Sequence, residues 1–276
     1  MSIWFTEELH PHYRKGLRVK RVLADEQTQY QHLQIVETEF FGKALIIDGI
    51  IQLTERDNMG YHEMIVHVPM LAVGAPKRVL IVGGGDGGSL QQVLRYPSVE
   101  QVVVCELDQR VVDLSRQHFA CFGDPWADAR AKLLVRDAFD YLEEDAGQFE
   151  AIISDTTDPI GMAKRLFSDD FFKLVVRALT PGGAAATQCE QPFFDTALIK
   201  QVYGSARALT KNPAYYYAHV PTYPGGGIGF MYLSDTAWEN GLKRPFPPGT
   251  NNYINPEVHK AAFALPEFFR RELYGK

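Results

Sequence analysis

RVLIVGGGDGGSLQQVL, residues 78–94, is an apolar strand running into six residues of which five are glycine, and then into a helical pattern. A strand, a glycine turn and a helix in that order form the opening unit of a nucleotide-binding α/β fold. Gly83, Gly85 and Gly88 fit G-x-G-x-x-G. Asp86 puts a negative charge where a phosphate-binding loop would have none. The same grammar then repeats. QVVVCEL (101–107) precedes DQRVVDLSRQHF (108–119), and AKLLVRD (131–137) precedes AFDYLEED (138–145). FEAIISD (149–155) precedes DDFFKLVVRALT (169–180), and GGAAATQ (182–188) precedes FDTALIKQVYGSARAL (194–209). Short continuous apolar strands between amphipathic helices predict a mainly parallel sheet with helices on both faces. YYYAHVPT (215–222) and IGFMYLSD (228–235) leave no room for a helix between them, which predicts an antiparallel hairpin at one sheet edge. Residues 240–266 read as irregular, rich in Pro and Asn, with a short AAFALPEFF element (261–269) near the end.

Upstream the pattern differs. RVKRVLADE (18–26), YQHLQIVETE (30–39) and KALIIDGIIQL (43–53) read as strands, with turns at Phe41-Gly42-Lys43 and Asp48-Gly49. YHEMIVHVPMLAV (61–73) has helical spacing, and Pro69 predicts a kink or a break in it. The expected fold class is α/β: a small N-terminal β-sheet domain (1–60) followed by a Rossmann-like, methyltransferase-type catalytic domain (61–276).

The 276 residues suffice for a sizeable core. No apolar run approaches the roughly 20 residues of a membrane span. The opening MSIWFTEELHPHYRK has no apolar segment after a basic one, so no secretory signal is expected. Three cysteines (Cys105, Cys121, Cys189) without paired spacing argue for a reducing, cytoplasmic setting. A net charge of -6 disfavours nucleic acid and suits cationic substrates.

Ligands of an open α/β sheet bind beyond the carboxyl ends of its strands, and here an acidic residue stands at every such end. Glu106 ends the second strand, where a carboxylate accepts from ribose hydroxyls. Asp86 and Glu106 together would repel a pyrophosphate and attract an amine or a sulfonium, so the ligand expected is of the S-adenosylmethionine type in preference to NAD. Asp137 is placed either to meet an adenine amine or to cap the helix after it, or to do both through different oxygens. Asp155 and Asp158, in DTTDP, leave the fourth strand beside the glycine loop. They suit an ammonium ligand or a base for an attacking amine; the plainer reading is a turn with one capping and one solvated carboxylate. Gln188-Cys189-Glu190 ends the fifth strand. With no Cys/His cluster, no metal is expected.

YHEM (61–64), GGGDGG (83–88), DTTDPIG (155–161), PTYPGGGIGF (221–230) and HKAAFALPEF (259–268) stand in the order and spacing of the spermidine synthases, which are polyamine aminopropyltransferases. The chain resembles that family from WFTE near its start to LPEF near its end. The resemblance implies transfer of the aminopropyl group of decarboxylated S-adenosylmethionine to putrescine, giving spermidine and methylthioadenosine, with no cofactor. It implies donor contacts from Gln31, His62, Asp86, Glu106, Asp137 and Ala138, beside the glycine loop. It implies Asp155 as the base and acceptor contacts from Asp158, Tyr61, Gln188 and Tyr223. It also implies a homodimer or homotetramer, for which the apolar face of the N-terminal strands would serve. Three rival readings remain. One is an aminopropyltransferase for agmatine, cadaverine or spermidine. The others are a methyltransferase, which Asp86 disfavours by repelling the carboxylate of intact S-adenosylmethionine, and a non-catalytic polyamine-binding protein.

The chain departs from the family where DPIGMAKRLF (158–167) carries Met162 in a usual proline position and Lys164-Arg165 nearby. Losing the proline loosens the free loop. The two cations are expected to be solvated or paired with Asp169 or Asp170. Tyr215-Tyr216-Tyr217 reads as strand packing, and His67, His118, His219 and His259 read as structural.

Overall fold

In the computed structural model, which describes residues 3–145 and 148–275, two sheets share the chain. The first is antiparallel, in the order β1 (Ile3–His10), β2 (Tyr13–Gln27), β3 (His32–Thr38), β4 (Lys43–Ile47), β5 (Ile50–Thr54). Asp48 and Gly49 take φ of 50° and 79° at the β4–β5 turn, the paired left-handed conformation that a two-residue hairpin asks for.

A helix, α1 (Asn58–Val73), joins this sheet to the second. It starts three residues before the YHEM motif and runs unbroken past Pro69. Nearly every side chain from Gly60 to Ala72 is buried. Packing on all sides therefore holds the helix together where proline removes one backbone bond.

The second sheet has seven strands. After α1 come β6 (Arg78–Gly83), α2 (Gly88–Leu94), β7 (Gln101–Glu106), α3 (Gln109–His118), β8 (Ala131–Val135), α4 (Ala138–Asp145) and β9 (Phe149–Asp155). Then follow α5 (Asp169–Ala178), β10 (Leu179–Cys189), α6 (Thr196–Leu209), β11 (Ala214–His219) and β12 (Gly227–Ser234). Two short helices, α7 (Pro256–Ala261) and α8 (Glu267–Tyr274), close the chain. Asn255 caps α7 through the Val258 N–H, so part of the irregular-looking tail is helical.

The strand order is β11-β12-β10-β9-β6-β7-β8, with β10, β9, β6, β7 and β8 parallel and the β11/β12 hairpin antiparallel at the edge, as expected. One face packs on α1 and α2, the other on α4, α5 and α6. Order reverses between β6 and β9, so the glycine loop and the DTTDP loop leave the sheet side by side. Gly83 pairs with Asp155 in register.

The N-terminal sheet has a partner within its own chain. Leu33, Ile35, Leu45, Ile47 and Leu53 form one apolar cluster with Val111 and Leu114 of α3 and with Phe119 and Phe122 beyond it. Burial of that face therefore does not require a second subunit.

Candidate active site

A cavity of about 320 Å³ opens where the strand ends of the large sheet meet the small one. Of the residues anticipated from sequence, Gln31, Tyr61, Gly83, Gly85, Asp86, Glu106, Asp137, Ala138, Asp155, Asp158, Gln188 and Tyr223 line it together. His62 and Gly88 stand one layer back, in contact with each other.

The glycines answer to their neighbours. A Cβ on Gly88 would lie 2.2 Å from the His62 ring, and one on Gly85 would lie 2.7 Å from Glu106 Oε2. Both close approaches draw a functional side chain against backbone. The Gly85 N–H then donates to Glu106 Oε2 at 3.1 Å, and the Asp108 N–H to Glu106 Oε1 at 2.9 Å. Burial outweighs these two donors and lifts the Glu106 carboxyl to about 7.

Asp86 accepts from the Gly88 N–H at 2.6 Å and faces His62 Nε2 at 3.3 Å. Burial alone would lower the imidazole's pKa, but Asp86, Asp155 and Glu63 outweigh it and the net direction is up. The Asp86 carboxyl, raised by burial and lowered more by His62, ends below its usual range. His62, Asp86 and Asp155 bring polar atoms within 4.8 Å of one another, and the two carboxylates among them can share a cation.

Asp155 ends β9 and is buried. Ser89 Oγ donates to it at 2.6 Å, and the Tyr61 hydroxyl is a second donor. Burial first and the charge of Asp86 second raise its pKa to about 6. Burial, with Glu7 behind it, likewise raises Asp158 to about 6. Burial and the charge of Asp158 raise Glu190 to about 8. These carboxylates are thus held beside one another with few donors, which leaves them ready for a cationic ligand. Gln188 Nε2 donates to the Thr157 carbonyl at 3.1 Å and braces the DTTDP loop. The Tyr223 hydroxyl donates to the Gln52 carbonyl.

At the other end, Asp137 serves two partners. Its Oδ1 accepts from the Phe139 N–H at 2.7 Å and caps α4, while its Oδ2 meets Arg165 at 3.1 Å. Arg165 also reaches Asp140 at 3.1 Å and lies 4.1 Å from the centre of the Phe139 ring. This corrects the pairing anticipated with Asp169 or Asp170. Asp169 instead accepts from Ser205, and Asp170 from Lys173. Met162 and Ile160, on the same loop, are exposed.

Three neighbouring side chains in one turn of α1 point to three places. Tyr61 faces Asp155 and His62 faces Asp86. Glu63, 1% exposed, accepts from the backbone N–H groups of Asn252, Tyr253 and Ile254 at 2.8–2.9 Å.

Sequence reasoning missed Gln52 and Ser89, and did not assign Glu190. Glu190 had a signal, as the acid ending the fifth strand. Gln52 had a weaker one, a polar residue in the apolar run IIQLT. Among the tyrosines, Tyr215 and Tyr216 are fully buried, their hydroxyls bound to the carbonyls of Glu190 and Met64.

Comparison with known proteins gives a consistent picture. Residues 58–243 match the spermine/spermidine synthase domain and residues 3–55 the spermidine synthase tetramerisation domain. Spermidine synthase 1 of Datura stramonium is 40% identical over 99% of this chain and 94% of its own length. A polyamine aminopropyltransferase of Thermoanaerobacter sp. (strain X514) is 41% identical over 98% of both chains. Among solved structures, a spermidine synthase in complex with the transition-state analogue AdoDATO superposes with a TM-score of 0.95 at 32% identity, covering 99% of this chain and 96% of that one. A spermidine synthase of Thermotoga maritima superposes with a TM-score of 0.93, also at 32% identity, covering 99% and 95%.

Proposed function

Since the chain belongs to the spermine/spermidine synthase family, we propose that it transfers the aminopropyl group of decarboxylated S-adenosylmethionine to putrescine. The observation that carries this reading is the acidic wall formed by Asp86, Asp155, Asp158 and Glu190, which suits a donor ending in an amine and an acceptor that is a diamine.

In this reading the donor's nucleoside lies along Glu106, Asp137, Ala138 and Gln31, with Glu106 accepting from the ribose hydroxyls. Its propylammonium sits between Asp86 and Asp155, and His62 holds Asp86 ionised from behind. Tyr61, Asp158, Gln188 and Tyr223 surround the acceptor, with Glu190 at its far end. Asp155 takes a proton from the near ammonium. The freed nitrogen lone pair attacks the methylene next to the sulfonium. A C–N bond forms, the C–S bond breaks with its electrons going to sulfur, and neutral methylthioadenosine leaves. The sulfonium supplies the leaving group, so the reaction calls for no cofactor or metal.

Proton transfer is the difficult step. In water an alkylammonium of pKa about 10 and an aspartic acid of about 4 differ by roughly 6 units, or about 8 kcal/mol. With Asp155 at about 6 the gap narrows to about 4 units, on the order of 5 kcal/mol. Exclusion of water by the bound substrates narrows it further by lowering the amine. The rest of the rate comes from aligning nitrogen, methylene and sulfur.

The same reading takes residues 1–60 as an assembly domain and 61–276 as the catalytic one. The tetramerisation-domain match over residues 3–55 supports an oligomer, a homodimer or homotetramer. Among the described residues no helix is long and apolar enough to cross a membrane. With the charge of -6, this fits a cytoplasmic enzyme of small molecules that engages neither nucleic acid nor membrane. The test is purified protein with decarboxylated S-adenosylmethionine and a panel of amines, read by mass spectrometry. Spermidine and methylthioadenosine should form with putrescine; no aminopropylated product from any amine would overturn the reading.

A further inference from the structure

A second buried charge pair lies beside the acceptor end, and the reaction just described does not use it. Glu7 of β1 and Lys15 of β2 oppose each other in register, with Lys15 Nζ 2.8 Å from Glu7 Oε1. The Glu7 side chain is 2% exposed and that of Lys15 14%. Glu7 Oε2 accepts from the Ile51 N–H at 2.7 Å. The lysine ammonium also donates to the Thr222 carbonyl and stands 5.7 Å from the centre of the Tyr223 ring. Tyr223 is a wall of the cavity, so Lys15 sits one layer outside it. Asp158 and Glu190, which also line the cavity, feel its charge.

Burying an ammonium carries a heavy desolvation cost, and apolar residues would fill this space more cheaply. A carboxylate, a carbonyl oxygen and an aromatic ring together form a receptor for an alkylammonium. In this chain that receptor is already filled from within. Building on the aminopropyl-transfer reading, we propose that Lys15 is a specificity-determining residue: its ammonium occupies the place that a third cationic centre would take and restricts the acceptor to diamines. A diamine puts its far ammonium against Asp158 and Glu190. A triamine such as spermidine carries one further ammonium past them, toward Lys15. There it meets a like charge and finds the Glu7 carboxylate taken. Like charges several ångströms apart in a partly buried site are worth at least about tenfold in affinity.

The experiment compares kcat/KM for putrescine, cadaverine and spermidine in the full-length protein, Lys15→Ala and the double variant Glu7→Gln/Lys15→Ala. Ratios between acceptors cancel a general loss of folded enzyme. The wild type should prefer putrescine to spermidine. Lys15→Ala should raise the spermidine-to-putrescine ratio by at least about tenfold. The double variant should keep only part of that gain, because the repelling ammonium and the attracting carboxylate are then both gone. The cadaverine-to-putrescine ratio should stay within about threefold, since cadaverine adds length without charge. Should Lys15→Ala fail to fold, Lys15→Met keeps the stem, removes the charge and should move the ratio the same way. A wild type that uses spermidine as readily as putrescine overturns the proposal. An unchanged ratio in folded variants of an enzyme active on putrescine overturns this proposal alone, whereas a wild type inactive on every amine overturns the reading beneath it as well.

Discussion

The two ends of the cleft use the same residue type at equivalent strand ends in opposite ways. At the nucleoside end, Asp137 is partly buried, caps a helix and bridges to Arg165. Its charge works for the fold before any ligand arrives. At the reacting end, Asp155 and Glu190 are buried and Asp158 is partly buried, side by side, and desolvation raises their pKa values to about 6, 8 and 6. Their charges work against the fold until a cation arrives. The difference teaches that an acid at the end of a parallel strand is functional or structural according to its partners, which the sequence does not display.

The comparison breaks most readily at Asp155. Asp155→Asn removes the proton acceptor and should slow turnover at least about 100-fold, the lower end for general-base catalysis, in single-turnover assays with both substrates saturating. A near-normal rate would move the base elsewhere.

Asp158→Asn should act on binding, raising the KM for putrescine by about 10-fold or more, the value of a charged hydrogen bond, with kcat less affected. Steady-state kinetics at varied putrescine separate the two parameters.

Stability gives the sharpest contrast, because the sign differs between the ends. Asp158 has its folded-state pKa raised above 3.8, so the native state binds the extra proton and stability falls as pH rises from about 4 to about 6. Asp158→Asn should therefore stabilise the protein at pH 8 by about 1–3 kcal/mol, a rise of a few degrees in Tm, and the gain should vanish toward pH 4. Asp137→Ala should instead cost about 1 kcal/mol at pH 8, through loss of the cap and the bridge. Thermal melts at pH 4 and 8 check both; a shared sign would end the distinction.

The smallest effect belongs to Arg165. Arg165→Gln frees Asp137 Oδ2 for an adenine amine and should lower the donor's KM by less than about fivefold, since exposed ion pairs are worth little. Titration with methylthioadenosine reads the same change.

Much of this was legible in the sequence because the signals are local. The alternation of strand and helix after residue 77 gave the sheet and its edge hairpin, and the strand ends gave the carboxylates. Contacts between distant segments were not legible. Pro69 suggested a break in α1 because local rules price the lost hydrogen bond but not burial on every side of the helix. Arg165 found Asp137, 28 residues earlier, in place of its neighbours Asp169 and Asp170. Glu7 and Lys15 gave no signal at all, since what buries them is the crossing of β1 and β2 over the loop that carries Tyr223.

One turn of α1 has a reach beyond its length. Glu63 holds the backbone of residues 252–254, while the two residues before it face Asp155 and Asp86. A nonsense codon or protease cut just ahead of Asn252 would strand a buried carboxylate next to His62. The unpaired charge would then lie in the same turn as the residues that face Asp155 and Asp86. Residues 252–254 thus act as a remote clamp on the turn of α1 that faces the cavity.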